Sequence, residues 1–474
     1  MKKIILLTLL LFSITAKAET TPQISSEQMI AKNINNLLEK NHIPFLVGIV
    51  VSKLPTGKLV YQRNADLLFV PASNLKLFTA TAALLYLGPN FHYQTKLLLN
   101  NANMSNETLN GDVYLKFSGD PDFTRNDLLN LILNLKNYNI QTINGEIYLD
   151  NSVFDGDSIG QGWAWDDLKA CYASPNQALM IDKNCFDVIV SPAKVENQVA
   201  VLALKTEVPY NIDNKVITSF SKKDCSINVK VLKNNQYQLV GCIFKETPPQ
   251  AISLAVKNPQ EDAKIIIKNL LMQNNIRLNG EIKISQTPFS AKLVAQHDSK
   301  PTDELVKLML KNSDNHIADS FSKTIGSLYS NSPGTWADGT KAIIDILQKR
   351  ANIDLSETKM VDGSGLSFYN LITPLQLQQL LNYIYNSSMK DYIMNALPIA
   401  GVDGTLKGRM ADNNTKGYVF AKTGTLNQVI ALSGYAKNKR GQEYSFVIIF
   451  NNFSVHANKM KHLEDQLVKI LVNS

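Results

Sequence analysis

Runs of hydrophobic residues at both ends of the chain predict the strands of one β-sheet. Residues 45–64, FLVGIVVSKLPTGKLVYQRN, form a pattern of two strands around a Pro-Thr-Gly turn, and a helical pattern begins near Ser73. Residues 417–452 contain three further strand patterns, the last two joined at KNKRGQ, and a helical pattern ends the chain. Two early strands, three late strands and helices between them favour one antiparallel sheet closed by both ends of the chain.

A short internal repeat divides the middle of the chain. The tetrapeptide Asn-Gly-Glu-Ile occurs around Gly145 and again around Gly280, each time after an amphipathic helical stretch. Two helix–strand units that frame a strand-rich middle are typical of one domain interrupted by another, and chance similarity of a short turn is the alternative. We predict an outer domain, an inserted α/β domain and a nested β domain: residues 19–88 with 290–474, residues 89–186 with 252–289, and residues 187–251.

Composition indicates an ordinary globular protein with more than one domain. The chain has 474 residues, of which 45% are hydrophobic and 19% charged. Residues 1–18 combine two early lysines, an apolar stretch and the triplet Ala-Lys-Ala, which predicts a signal peptide, export to the periplasm and a mature chain beginning near Glu19. No later stretch approaches the roughly 20 apolar residues of a spanning helix, so we expect at most peripheral membrane contact.

The net charge gives no indication of nucleic-acid binding. It is +7 for the whole chain and falls when the lysines of the signal peptide are removed. The remaining positive charge is scattered and forms no basic tract. We therefore expect no nucleic-acid partner and at most a weak attraction to an anionic cell-wall polymer.

Four cysteines in an exported chain favour disulfides. Cys171 and Cys185 lie close together in sequence, and Cys225 and Cys242 flank a hairpin-like pattern with Lys-Asn-Asn at its turn. Of the three possible connectivities we predict the sequential one, in which each short loop contributes about 3 kcal/mol on the chain-entropy model. Free buried thiols are the alternative.

A serine and a lysine lie three residues apart in the segment PASNLKLFTATAAL. On a helix Ser73 and Lys76 share one face, and the surrounding apolar residues predict that the lysine is partly buried. Burial lowers the pKa of a lysine and supplies a neutral amine that can take a hydroxyl proton. The alternative is a helix-capping serine with a lysine that extends to solvent.

Two further motifs decide between these interpretations. Ser313-Asp314-Asn315 ends one helical pattern, and Lys422-Thr423-Gly424 lies within a late strand. Each tripeptide alone is common, but the order Ser-x-x-Lys, Ser-Asp-Asn and Lys-Thr-Gly is typical of penicillin-binding proteins and related β-lactamases. The histidines show no metal-ligand spacing and no Gly-x-Ser-x-Gly elbow is present, so we predict no metal and no cofactor.

The whole mature chain resembles the D-alanyl-D-alanine carboxypeptidase/endopeptidases of the penicillin-binding protein 4 type. The segments GWAWDD, KNSDNHIAD, VDGSGLS, AGVDGTLKGRM and AKTGTL occur in the order of that family. The resemblance implies an α+β fold: a transpeptidase domain like those of penicillin-binding proteins and serine β-lactamases, with an antiparallel sheet flanked by helices and two nested insertions. It also implies a periplasmic enzyme that cleaves D-Ala-D-Ala stems and cross-bridges of peptidoglycan and is acylated by β-lactams.

The motifs suggest catalytic roles. Ser73 is the expected nucleophile, and Lys76 the base, held neutral by burial and by the like charge of Lys422. Ser313 relays the proton to the leaving amine. Backbone N–H groups of Ser73 and Thr425 are the expected oxyanion hole.

The same motifs suggest how substrate is held. Asn315 contacts both Lys76 and the substrate amide. Lys422, Thr423 and Thr425 are expected to hold the terminal carboxylate, and Gly424 and Asn427 are further expected substrate-binding residues.

The segment GWAWDDLKACY suggests a specificity site. Asp167 and Tyr172 are predicted to recognise the ammonium group of a diaminopimelate side chain, and a packed loop is the alternative. Family members often carry a basic residue after Ser-Gly-Leu-Ser, but Phe368 stands there in this chain, so Arg409 is a candidate for binding the substrate's carboxylate. A β-lactamase or esterase of the same superfamily, or a non-catalytic wall-binding scaffold, remain alternative functions.

Overall fold

The computed structural model describes residues 25–41, 45–205, 208, 210–222, 225–233 and 235–474. The predicted signal peptide, residues 1–18, lies outside the described residues. Among the described residues, no helix combines the length and the apolar character needed to cross a bilayer.

Most of the described α-helices belong to the predicted outer domain. Within the described residues the α-helices are α1 (Ser26–Lys40), α2 (Lys76–Tyr86), α3 (Arg125–Asn137), α4 (Pro259–Gln273), α5 (Thr302–Asn312), α6 (Asn315–Ser330), α7 (Trp336–Ala351), α8 (Pro374–Tyr385), α9 (Lys390–Ala396) and α10 (Ala457–Val472).

The strands form four sheets. Within the described residues they are β1 (Leu46–Lys53), β2 (Lys58–Arg63), β3 (Gln94–Ser105), β4 (Thr108–Lys116), β5 (Thr142–Ile143), β6 (Ile147–Asp150), β7 (Cys185–Ser191), β8 (Val201–Leu204), β9 (Ile212–Ser219), β10 (Ile227–Val231), β11 (Tyr237–Phe244), β12 (Gln250–Ala255), β13 (Arg277–Leu278), β14 (Ile282–Ile284), β15 (Lys292–Asp298), β16 (Val419–Leu426), β17 (Val429–Lys437) and β18 (Glu443–Asn451).

The predicted sheet made from both ends of the chain is confirmed. Its order is β16-β17-β18-β1-β2, and every neighbouring pair is antiparallel. Alternate residues of β17 enter different cores: Ala431 packs with α2 and α5 to α9, whereas Ile430 and Leu432 pack with α1 and α10. Because helices cover both faces, the central strands are hydrophobic almost throughout their length.

The two Asn-Gly-Glu-Ile segments lie side by side in a second, seven-stranded sheet. They lead into β6 and β14, which pair in parallel with Ile147 opposite Ile282. A Cβ on Gly280 would lie 2.2 Å from the carbonyl oxygen of Gly145. The repeat is therefore structural, because each turn needs glycine to let the next turn approach.

A third Asn-Gly segment, missed in the sequence, lies beside them at Gly111, inside strand β4. A Cβ on Gly145 would lie 2.1 Å from the Gly111 carbonyl oxygen. The asparagine side chains form a ladder across the three segments, in which Asn279 donates to Asn144 at 2.7 Å and Asn144 donates to Asn110 at 2.8 Å. Aspartate and valine replace glutamate and isoleucine in this copy, so the match to the tetrapeptide was hidden.

Strand pairing crosses the predicted segment boundaries. Strand β15, residues 292–298, lies beyond the predicted boundary at residue 290 and pairs with β3 of the inserted sheet. The two three-stranded sheets of the nested region, β12-β7-β8 and β10-β11-β9, share one core and extend over residues 185–255, beyond the predicted 187–251. Hydrophobic alternation identifies a strand but not the sheet that it joins.

Both disulfides link the expected neighbours. Cys171 pairs with Cys185 at a Cα–Cα distance of 5.3 Å, and Cys225 pairs with Cys242 at 5.2 Å. The second bridge spans the β10–β11 hairpin that the sequence suggested. The first joins the start of β7 to residues 162–172, which form one wall of the site described next and are called the wall segment.

Candidate active site

Ser73 is presented at the amino end of a buried helix. A 3-10 turn over Ala72–Leu75 leads directly into α2. Two glycines from distant segments let this turn be enclosed: a Cβ on Gly365 would lie 2.0 Å from the Ala72 carbonyl oxygen, and a Cβ on Gly424 would lie 3.0 Å from Ala72 Cβ. The positive end of the helix dipole thus lies at the serine, where it favours developing negative charge.

The Lys76 side chain is fully buried and makes three polar contacts. Its Nζ atom lies 2.9 Å from Ser73 Oγ. The same atom donates hydrogen bonds to Asn315 Oδ1 and to the Ser364 carbonyl oxygen, each at 2.7 Å. These contacts hold the amine beside the serine hydroxyl and account for the buried lysine predicted from the sequence.

Burial lowers the pKa of Lys76 to about 8, although the carboxylates of Asp319, Asp362 and Asp314 oppose this shift. Burial and then the charge of Lys76 hold the pKa of Lys422 well below its ordinary value. The repulsion expected between the two lysines therefore acts in the expected direction, because each positive charge disfavours the other.

The Ser-Asp-Asn motif forms the junction between α5 and α6. Ser313 ends α5 in the left-handed region with φ 58°, Asp314 caps α6, and Asn315 is the first residue of that helix. Lys422 Nζ donates to Ser313 Oγ at 2.8 Å, and Asn315 Nδ2 donates to the Tyr172 carbonyl oxygen at 2.8 Å. The junction therefore contacts Lys422 through Ser313, and it contacts both Lys76 and the wall segment through Asn315.

The Lys-Thr-Gly-Thr sequence, residues 422–425, lies on β16, which is the edge strand of the sheet. Lys422 is fully buried. A Cβ on Gly424 would lie 2.9 Å from Asn74 Nδ2, so glycine is needed for β16 to approach the Ser73 turn. Thr423 Oγ1 lies 2.7 Å from Thr405 Oγ1.

The motifs meet at one cleft of about 500 Å³. It is lined by Ser73, Ala164, Asp166, Asp167, Tyr172, Ser313, Asn315, Leu366, Phe368, Thr425, Leu426 and Asn427. Seven of the residues singled out in the sequence for catalysis or substrate binding are in this lining. Lys76 and Lys422 are buried and reach it through their hydrogen bonds to the two serines.

Sequence reasoning missed the buried acids around Lys76. Asp319 lies one helical turn after Asn315 and accepts a hydrogen bond from the Gly363 N–H at 2.9 Å. Burial and then the charge of Asp362 raise the pKa of Asp319 well above its ordinary value. The four-residue spacing from Asn315 to Asp319 was the available signal, because it puts both side chains on one helix face.

The wall segment has a packed side and an exposed side. Trp163 is 9% exposed and donates to Asp362 Oδ2 at 3.0 Å, as expected of a packing residue. Trp165 is 86% exposed. Tyr172 donates to Asp167 Oδ1 at 2.7 Å, and burial and then that carboxylate raise the Tyr172 pKa above its ordinary value. The packed-loop interpretation therefore fits Trp163 but not Trp165.

Arg409 is wrong as a candidate for binding the substrate's carboxylate. It is absent from the residues that line the cleft, and its Nη2 atom is paired with Glu464 at 2.9 Å and Asp465 at 2.7 Å, both on α10. These partners are remote in sequence, which is why the motif gave no sign of them. Phe368 lines the cleft, as an apolar side chain.

The arrangement is suited to acyl transfer through serine. A serine hydroxyl lies at a helix amino end beside an amine whose pKa is near neutrality, and a second serine–lysine pair faces the same cleft. The edge strand beside them can pair with an extended peptide substrate.

Comparison with known proteins agrees with this chemistry. Residues 30–474 match the D-Ala-D-Ala carboxypeptidase 3 (S13) family. The D-alanyl-D-alanine carboxypeptidase DacB of Haemophilus influenzae is 36% identical over 426 residues, covering 89% of this chain and 88% of that protein.

Solved structures give the same result. The crystal structure of penicillin-binding protein 4 (dacB) from Haemophilus influenzae has a TM-score of 0.84 at 35% identity, covering 93% of this chain and 98% of that one. Its complex with a novel β-lactam has a TM-score of 0.80 at 33% identity, covering 93% of this chain and 100% of that one. The chain therefore belongs to the D-Ala-D-Ala carboxypeptidase 3 (S13) family, in agreement with the resemblance found along the whole mature chain.

Proposed function

We propose that this protein is a serine D-Ala-D-Ala carboxypeptidase and endopeptidase that acts on peptidoglycan peptides in the periplasm. The observation that carries the proposal is the pair of contacts at the cleft, Lys76 Nζ to Ser73 Oγ at 2.9 Å and Lys422 Nζ to Ser313 Oγ at 2.8 Å. The family match and the predicted signal peptide support the substrate and the compartment.

Acylation follows from these contacts. Neutral Lys76 takes the proton of Ser73 as Oγ attacks the carbonyl carbon of the penultimate D-Ala. The oxyanion that forms is stabilised by backbone N–H groups of Ser73 and Thr425, and one such donor is typically worth about 3 kcal/mol.

Breakdown of the tetrahedral intermediate involves Ser313, which belongs to the second serine–lysine pair. The proton that Lys76 took from Ser73 is relayed through Ser313 to the nitrogen that leaves as its bond to the acyl carbon breaks. The leaving amine is D-Ala in a stem peptide and the diaminopimelate side chain in a cross-link. Water then attacks the Ser73 ester and releases the shortened peptide. The same acylation opens a β-lactam ring, where the amine remains attached to the acyl group.

Carboxylate binding explains the buried Lys422. Its pKa is lowered by burial and by the charge of Lys76. An arriving terminal carboxylate favours the protonated form. Thr423 and Thr425 add hydroxyl donors on the same strand, and Asn427 follows at its end.

Asp167 and Tyr172 form the specificity wall in this proposal. Their hydrogen bond places a carboxylate beside an aromatic ring in the lining of the cleft. A diaminopimelate ammonium group fits such a pair. With Phe368 in the cleft and Arg409 paired elsewhere, neither supplies an ionic contact for the second carboxylate of that residue.

Two measurements test the proposal with the mature chain, residues 19–474. Intact-mass spectrometry after benzylpenicillin should show one adduct, on the peptide that contains Ser73, and none in Ser73→Ala. Mass spectrometry of defined muropeptides should show loss of D-Ala from monomers and cleavage of cross-linked dimers. An adduct that survives Ser73→Ala, or muropeptides that stay intact, would contradict the assignment.

A further inference from the structure

A second cavity of about 490 Å³ borders the catalytic cleft. The two cavities share Asp166, which belongs to the 3-10 turn Trp165–Asp167, so this turn is the wall between them. The second cavity lies between the turn and strand β10 of the nested region.

The cavity is basic. Three lysines line it, Lys169, Lys230 and Lys257, against the single carboxylate of Asp166. Lys257 donates to the Leu168 carbonyl oxygen. Within the part of the chain that the structure describes, the ammonium groups of Lys169 and Lys230 have neither an ion pair nor a hydrogen bond, so both are available to an anion.

The same cavity offers contacts for a peptide. Trp165 lies on its rim, and 86% of the residue is exposed. Because exposing the large apolar ring of a tryptophan to water is unfavourable, this side chain is suited to contact a ligand. Strand β10 pairs only with β11 among the described strands, so its other edge is free for an extended chain.

The side of the cavity that carries Lys169 is held by contacts with the nested region. The Ala255 N–H donates to the Lys169 carbonyl oxygen at 3.0 Å, and the Cys171–Cys185 bridge ties the end of the same segment to β7. A preformed cavity needs little ordering to bind its ligand.

We propose that this cavity binds the anionic part of the substrate that precedes diaminopimelate in the acyl-donor stem, with Lys230 and Lys169 holding the free carboxylate of its D-glutamate. The inference rests on the proposed function and on the neighbouring wall: a stem whose diaminopimelate lies at Asp167 can extend across Asp166 into this cavity. Trp165 covers the peptide at the rim.

The test compares three synthetic substrates by kcat/KM for D-Ala release. They are L-Ala-γ-D-Glu-diaminopimelyl-D-Ala-D-Ala, the same peptide with the D-glutamate carboxylate amidated, and N-acetyl-diaminopimelyl-D-Ala-D-Ala. The wild-type protein should prefer the first by about tenfold, the effect of one charge-assisted hydrogen bond.

Four variants then test which residues cause this substrate preference. Lys230→Glu should remove it, Lys230→Arg should keep it, and Trp165→Ala should reduce it. Lys215→Glu reverses a charge at the opposite edge of the same three-stranded sheet and should keep the preference. Equal kcat/KM for all three substrates in the wild type would overturn the inference, while normal acylation of Ser73 by benzylpenicillin in that sample would leave the proposed function standing.

Discussion

The catalytic centre and the wall segment beside it differ in how deeply their ionisable side chains are buried. At the centre Lys76 and Lys422 are fully buried, and burial sets their protonation. On the wall the half-buried Asp167 and the exposed Tyr172 lie on two successive 3-10 turns, and Cys171 of the second turn is held by a disulfide. Burial gives the centre a base that works near neutral pH. The Asp167 carboxylate and the Tyr172 ring line the cleft, where they can contact the side chain of a peptide substrate. The centre should therefore govern every acylation, and the wall only the choice of peptide.

The largest effect is expected at the buried base. Lys76→Ala should lower the rate of acylation by about a thousandfold with penicillin and peptide alike, because general-base catalysis is lost. Stopped-flow or mass-resolved acylation kinetics would measure it, with circular dichroism as the control for folding. A loss confined to peptide substrates would break the distinction between centre and wall.

The approach of β16 to the Ser73 turn should matter next. Gly424→Ala introduces a Cβ 2.9 Å from Asn74 Nδ2 and should displace the carboxylate-binding strand, lowering kcat/KM about a hundredfold on all substrates. Gly408→Ala is the matched control, because a Cβ there has nothing within 4 Å. Similar kinetics for the two variants would show that β16 tolerates the shift.

The wall should show a smaller and selective effect. Asp167→Ala should reduce turnover of diaminopimelate-containing peptides by about 1–3 kcal/mol of transition-state binding while penicillin acylation stays unchanged. Acetylating the diaminopimelate amine should cost the wild type a similar amount and the variant nothing further. Equal losses on peptide and penicillin would mean that Asp167 supports the fold.

The smallest effect expected, about tenfold for one pH unit, is the pH dependence of acylation. The pKa of Lys76 is lowered to about 8, so the neutral base becomes more populated as pH rises towards 8. The kcat/KM for penicillin acylation should rise about tenfold from pH 6 to 7 and level off above pH 8. Asp167→Ala should keep this profile, since the wall does not set the base. A flat profile from pH 6 to 9 would argue against a neutral Lys76 as the base.

Much of the fold followed from local patterns. The two early strands, the three late strands and the terminal helix lie where hydrophobic runs and turn residues predicted them. The three motifs were readable because each is a short segment whose spacing is set by one helix or one strand. Their meeting in one cleft was implied by family resemblance and is observed as hydrogen bonds between residues as distant as Lys76 and Asn315.

Only the tertiary structure decided what surrounds these motifs. The sheet that residues 292–298 join depends on which strand edge is free, and the pairing of Arg409 with α10 depends on how two remote segments pack. The opposing effects on the Lys76 pKa come from burial and from acids on α6 and the Gly363 loop, neither of which a local spacing encodes. The sequence by itself therefore determined the reacting groups, because their chemistry is carried by residue type and local spacing. Tertiary packing decided their protonation and their neighbours, because dielectric environment and long-range contacts exist only in the folded chain.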